Sequence, residues 1–324
     1  MFTRYVIGAD ENGLGPRLGP LVVTAVLARL TAEGAEKIVT RRPRGGLAER
    51  LGDSKGLVAH GNIALAEAWT RVLVERGAGR HQRSQNPDEL VDAVTLDDRH
   101  ALTSPCPEHV TPQCWSVEAE GFTDPEVMGN TMKLVARDLE RLAARGIEIV
   151  AVRSVVVCTK RLNEAVTRGQ SRFVVDLHSM ERLVLAFRDL AGEDVSAVCG
   201  KVGGYGEYSK AFGPLAGRLH AVIEEGRKRS AYRFPGLGEI AFVRDGDATN
   251  LLVGMASLVG KYLRELLMDR IVRYYGPHDL PPASGYHDPI TDQFVIATES
   301  LRRSRRVPSD CFERTRLEPP APRT

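Results

Sequence analysis

Two stretches near the N-terminus, "RYVIGA" and "PLVVTAVLARL", are rich in β-branched residues and bounded by glycine or proline, which predicts two strands that pair with each other. The spacing turns helical in "GNIALAEAWTRVLVERG", which closes on Gly77, a suitable C-cap. From Ala78 to about Asp124 the periodicity degrades into polar residues, prolines and histidines, and this predicts an insertion (78–124) rather than a domain. Order then returns. "NTMKLVARDLERLAARG" reads as a helix, "IEIVAVRSVVV" as a strand, "DLHSMERLVLAFRDLAG" as a helix, "VSAVCGKVGG" as a strand and turn, and "EIAFVRDGDA" as a strand. The long pattern "NLLVGMASLVGKYLRELLMDRIVRYYG" reads as one helix. A strand pair followed by alternating strands and helices predicts an α/β class with a mixed sheet. Apolar runs such as "LVVTAVLA" fall far short of the roughly 18 residues that a membrane span needs.

Composition narrows this picture only a little. A chain of 324 residues, 43% of them hydrophobic, can bury one large core or two modest ones. "MFTRYVIGADENG" has no signal-peptide pattern, so a cytoplasmic location is expected, with no membrane partner. Five widely spaced cysteines fit reduced thiols better than a disulfide framework. The net charge of +2 implies no polyanion by itself. The tail 301–324 is basic, with seven arginines against three acids, and reads as solvated surface or, alternatively, as a contact to a phosphate backbone.

Several motif-like strings do not survive inspection. "GMASLVGKY" has five residues rather than four between Gly254 and Gly260, lies in a helical pattern, and has Tyr262 where a phosphate loop needs Ser or Thr. "GGYGEY" lacks the third glycine of a dinucleotide fingerprint. His100, Cys106, His109 and Cys114 match no common structural zinc spacing.

The stretch "YVIGADENGLGPRLGPLVV" is different. An adjacent Asp–Glu pair after a strand is ordinarily a capped turn. Here the pair is flanked by Gly8, Gly13, Gly15 and Gly19, which leave backbone amides open to a bulky anion, and by Pro16 and Pro20, which stiffen the loop. Two carboxylates beside an anion-accepting loop call for a cation between them, and a divalent metal with oxygen ligands, Mg²⁺ or Mn²⁺, suits phosphodiester chemistry.

This stretch resembles the opening of the ribonuclease HII family, the type 2 ribonucleases H: "GADENGLGP" followed by "RLGP" matches the family's glycine–acid–acid–glycine–proline pattern. The resemblance continues through "DSKGL", "GKVGGYGEY", "GDATNLLVGMASLVGKYLRE" and "SGYHDPITDQF", in the family's order. It implies a ribonuclease H-like catalytic domain over 1–300, in which three antiparallel strands are extended by parallel ones and flanked by helices, and a monomer. The extra N-terminal domain of the related ribonuclease HIII is not expected. The implied activity is metal-dependent cleavage of the RNA strand of RNA–DNA hybrids, or of ribonucleotides embedded in a DNA duplex, with two divalent ions held by four acids.

By this resemblance Asp10 and Glu11 are the first two acids and Asp247 the last, an N-cap being the alternative role for Asp247. The third acid is missing: Gly200 stands where the family has Asp, and Asp194 and Glu207, the nearest acids in sequence, are both out of register. Leu14 replaces the family's usual Arg between Gly13 and Gly15, a segment whose backbone contacts the ribose 2′-hydroxyl in the family. Tyr286 matches a tyrosine that supports the junction, with packing as its alternative. Lys55, Lys261 and Arg264 are the expected phosphate contacts, with surface charge as theirs. Two classes follow: a nuclease with an incomplete acidic site, or a weakly active or inactive relative that binds hybrid or another structured nucleic acid.

Overall fold

The computed structural model describes residues 3–52, 54–77, 83–118, 120–202, 205–276 and 281–315, with the backbone alone for Ser54 and Lys55. The Lys55 side chain, residues 78–82 of the insertion and residues 316–324 of the tail lie outside the described residues.

The two N-terminal apolar runs form β1 (Arg4–Asn12) and β2 (Leu21–Leu30), paired antiparallel, and β3 (Ile147–Val157) pairs antiparallel with β2. On the other side of β1 come β4 (Val195–Gly200) and then β7 (Gly238–Val243), both parallel to it. A hairpin of β5 (Ala221–Glu225) and β6 (Arg229–Phe234) completes the edge. The order is β3-β2-β1-β4-β7-β6-β5. The mixed sheet, three antiparallel strands extended by parallel ones, is therefore as the sequence implies, with an added antiparallel hairpin that the pattern did not announce.

The first helices are α1 (Ala35–Val39), α2 (Ser54–Leu57), α3 (Ala64–Arg76), α4 (Pro87–Val94), α5 (Arg99–Thr103), α6 (Pro125–Ala143) and α7 (Thr159–Thr167). They are followed by α8 (Arg172–Ala191), α9 (Gly246–Thr249), α10 (Leu251–Tyr274), α11 (Pro289–Ala297), α12 (Glu299–Ser304) and α13 (Ser309–Phe312). No helix among the described residues is long and apolar enough to cross a membrane.

Strand alternation divides the core into two. Val6, Val22 and Val26 pack with α10, α3 and α6 on one face, while Ile7, Ala9, Val23 and Cys199 pack with α8 on the other. The α10 helix is apolar almost all round because it is buried almost all round. It lies so close to β1 that a Cβ on Gly8 would come within 2.4 Å of the Leu252 backbone, so only glycine permits this approach.

The insertion is better built than its pattern suggests. Asn86 caps α4 and exchanges hydrogen bonds with Glu89, Pro87 opens the helix, and Leu90, Val91, Val94, Leu102 and Trp115 enter the α10-side core. The described part of the basic tail also packs onto the fold: Arg302 lies over the Phe312 ring, Arg305 over Tyr274, and Arg314 is 2% exposed. The five cysteines are free thiols.

Candidate active site

Strand β1 runs through Asp10 and Glu11, so the two acids leave it on opposite faces. Asp10 takes the α10 side, where the Ser257 hydroxyl donates to it and Asn12 Nδ2 donates to the Ser257 carbonyl at 3.2 Å. The parallel pairing sets Ala9 opposite Cys199, which brings Gly200 beside Asp10. Asp247 sits in the first turn of α9 and accepts from the Ala248 amide at 2.9 Å. It is not an N-cap: Asp245, at φ 54°, precedes α9, and Asn250 caps α10 by accepting from Leu252 and Val253. These groups, with Gly13, Leu14, Gly15, Lys261 and Tyr286, line one cleft of about 450 Å³.

Burial pushes the Asp10 carboxyl well above the usual range, and repulsion from Glu11 and then Asp247 adds to it, against the Ser257 hydrogen bond. Three mutually repelling carboxylates in one cleft form an oxygen-rich donor set of the type that hard divalent cations prefer. Among the described residues no three His, Cys, Asp or Glu side chains are already gathered around a metal-sized point. What the site offers a metal is the oxygen-ligand chemistry of its carboxylates. The place of the missing acid abuts the other two: a Cβ on Gly200 would stand 2.5 Å from Asp10 Oδ1 and 3.4 Å from Glu11 Oε2, so the Asp10 carboxylate would have to shift to admit a side chain.

Beneath the acids lies a residue that the sequence reading missed. Asp176, on α8, is fully buried, and neither of its carboxylate oxygens has a hydrogen-bond partner. The nearby Tyr208 hydroxyl is orphaned too. Burial raises Asp176 well above the carboxylate range, and Glu11 and then Asp10 raise it further. Its helix reaches the active end of β1, since Arg172 Nη1 donates to the Leu14 carbonyl at 3.3 Å. The signal was present in the sequence: Phe173, Asp176, Leu177, Met180 and Val184 form the sheet-facing stripe of α8, and one position of that stripe is an acid. By contrast Glu207, the nearby acid in sequence, is exposed and paired with Lys210, and Asp194 lies before β4, at the end of that strand remote from Gly200.

The glycine loop is held from inside. Arg314 donates to the Gly19 carbonyl from Nε at 2.9 Å and Nη2 at 2.7 Å, and to the Gly13 carbonyl from Nη1 at 2.6 Å. The Leu14 carbonyl, 3.3 Å from Nη1, faces the same guanidinium. Because C=O and the following N–H point in opposite directions across a planar trans peptide, this turns the Leu14 and Gly15 amides away from Arg314, and both residues line the cleft. Gly13 and Gly19 have φ of 88° and 82°, which the turn requires. The Arg17 and Leu18 amides both donate to the Gly285 carbonyl, tying the loop to the "SGYHDP" segment.

The expected phosphate contacts divide. Lys261 lines the cleft and is partly exposed. Arg264 also lines the cleft, yet it is 1% exposed: it donates to Glu265 and to the Ser284 carbonyl at 2.8 Å each, and lies 4.5 Å over the Tyr286 ring. It braces the loop and the tyrosine, packed so close to Gly13 that a Cβ there would stand 2.9 Å from Arg264 Nε. Tyr286 is 46% exposed at the cleft. His60, which the sequence reading also missed, joins the rim through Glu265 and the Pro282 carbonyl. Of the four residues weighed for zinc, Cys106 and Cys114 line a small hollow with Cys158 and Cys311, and His109 faces the Arg306 carbonyl.

No protein-family model matches the chain, and no curated protein does. Solved structures do. A structure of the PCNA–RNase HII complex from Archaeoglobus fulgidus matches at 15% identity over 96% of this chain and 94% of that one, with a TM-score of 0.41. Bst-RNase HIII in complex with Mn²⁺ matches at 13% over 96% of this chain and 66% of that one, with a TM-score of 0.44. The ribonuclease H2 from Pyrococcus horikoshii matches at 14% over 95% and 92%, with a TM-score of 0.38.

Proposed function

We propose that this chain is a divergent type 2 ribonuclease H, a metal-dependent endonuclease that cuts the RNA strand of a hybrid or a ribonucleotide embedded in duplex DNA. The observation that carries the reading is the convergence of Asp10, Glu11 and Asp247 on one cleft, beside a glycine loop that lines it and whose Gly13 and Leu14 carbonyls are held by Arg314. In this reading the three acids hold Mg²⁺ or Mn²⁺, and the bound ions supply an activated water and charge stabilisation at the leaving 3′ oxygen. The loop amides donate to the ribose 2′-hydroxyl, which separates RNA from DNA. Tyr286, backed by the Arg264 guanidinium, supports the sugar next to the cut, and Lys261 meets a phosphate. Asp176, buried and without a partner under Glu11, is the residue that best suits the role of the missing acid.

The second reading, a protein that binds hybrid with little or no cutting, is favoured by Gly200 alone. Incubating the protein with labelled hybrid and with a single-ribonucleotide duplex, in Mg²⁺, Mn²⁺ or chelator, tests both. Strand scission only with metal supports the nuclease, and binding without scission under all three conditions overturns it.

A further inference from the structure

A second hollow, of about 430 Å³, opens on the α10 side of the molecule and is lined by Arg41, Arg42, Arg44, Arg141 and Arg145. The first three come from "RRPR" after α1, Arg141 from the last turn of α6, and Arg145 from the turn that follows the helix. The one acid in its lining, Asp138, is buried and held by Arg50 at 2.7 and 3.2 Å, with Arg141 at 3.4 Å. Arg41, Arg42, Arg44 and Arg145 are exposed, and none forms an ion pair among the described residues. Gathering five guanidiniums in one concavity costs self-repulsion, and in a chain whose net charge is only +2 that repulsion is concentrated locally.

The hollow and the acidic cleft are both lined by α10. Leu251, the first residue of α10, lines it, and Asp247 of the cleft stands four residues earlier in the chain. The segment that supplies Gly46 and Leu47 to the hollow continues to Gly52, whose carbonyl lies near Gly254, as does the Asp247 carbonyl.

The geometry points to a phosphodiester-binding site: the arginine hollow takes the sugar–phosphate backbone of the duplex that flanks the cut, so that substrate spans both concavities across the start of α10. This rests on the nuclease reading for the identity of the duplex, while its test reads binding alone. Guanidiniums without acidic partners suit phosphates, each contact releasing condensed counterions.

The test uses a fluorescein-labelled RNA–DNA hybrid of about two helical turns, titrated by anisotropy in chelator across a range of salt. Replacing Arg41, Arg42 and Arg44 together by Ala should weaken binding about tenfold at moderate salt and reduce the slope of log K against log salt by about 2 to 3, as loss of three phosphate contacts does. Arg145→Glu, on the other wall, should act in the same direction, and both variants should keep the parent's melting temperature. Unchanged affinity and slope in both overturn the proposal. So does a loss of inorganic phosphate binding with hybrid affinity intact, which would make the hollow a small-anion site. Cleavage by the parent in Mn²⁺, assayed separately, bears on the nuclease reading alone.

Discussion

Gly200 lies in β4 with a φ outside the left-handed region, so an L-residue fits its backbone, and the one short contact a side chain would meet is the movable end of Asp10. Gly200→Asp should therefore fold. Without metal it adds a fourth repelling carboxylate, so its melting temperature should fall below the parent's and recover in Mg²⁺. Cleavage should rise, more in Mg²⁺ than in Mn²⁺, because Mg²⁺ demands the stricter octahedral set. A variant that folds, binds hybrid and gains no activity would show that the vacancy does not limit the enzyme. Asp10→Asn makes the opposite change at constant shape, and cleavage should drop by roughly a thousandfold with folding intact. Parental rates in that variant would remove Asp10 from the site. Asp176→Asn separates the two roles open to the buried acid. As a metal-site acid it should bind Mn²⁺ at least tenfold more weakly by titration calorimetry; as an incidental buried carboxyl it should gain stability with Mn²⁺ affinity unchanged.

Helix α8 shows both what was legible and what was not. Its apolar stripe predicted the helix, and the sheet-facing acid within that stripe was a readable anomaly that the search for acids near Gly200 in sequence passed over. The β5–β6 hairpin was hidden because every residue of β5 is exposed, which removes the alternation that marks a half-buried strand. In the insertion, α4 spans only two turns, too few for periodicity to register, although its cap and proline were visible in "NPDEL". The same α8 carries Glu181, which burial raises to about 7 against the Leu215 and Gly213 amides that donate to it. A carboxyl raised in the folded state binds more protons there than in the unfolded chain between its ordinary value of 4.5 and about 7, so stability falls as pH rises through that window. Glu181→Gln should flatten this fall in urea unfolding at pH 5, 6, 7 and 8. A variant with the parent's full pH dependence would assign the effect to Asp176, whose shift has the same sign.

At the scale of the molecule, the C-terminal end of the described chain closes on the loop after β1, beside the candidate site. The Arg314 amide donates to the Arg17 carbonyl, Arg17 pairs with Glu313 and Asp292, and Asn163 Nδ2 donates to the Asp310 and Glu313 carbonyls. None of this was legible, because an arginine in a basic tail carries no sign of partners some 300 residues earlier in sequence. Burial lowers Arg314 well below the usual arginine value, and the groups that accept its hydrogen bonds are the carbonyls of the glycine loop rather than an acid. Its guanidinium thus fixes which way the Leu14 and Gly15 peptides face. Arg314→Met keeps the bulk but leaves the Gly13 and Gly19 carbonyls without that donor, a loss on the order of 3 kcal/mol. Both apolar cores remain, so unfolding should stay cooperative at a lower midpoint. The loop amides would no longer be aimed, and the ratio of hybrid to all-DNA duplex binding should fall about tenfold while Mn²⁺ affinity at the acids is kept. Arg314→Lys should recover little, because one ammonium cannot span carbonyls that a planar guanidinium bridges. If Arg314→Met lost stability yet kept the parent's preference for hybrid, the arginine would be a clasp for the fold alone, and RNA would have to be recognised by groups other than this loop.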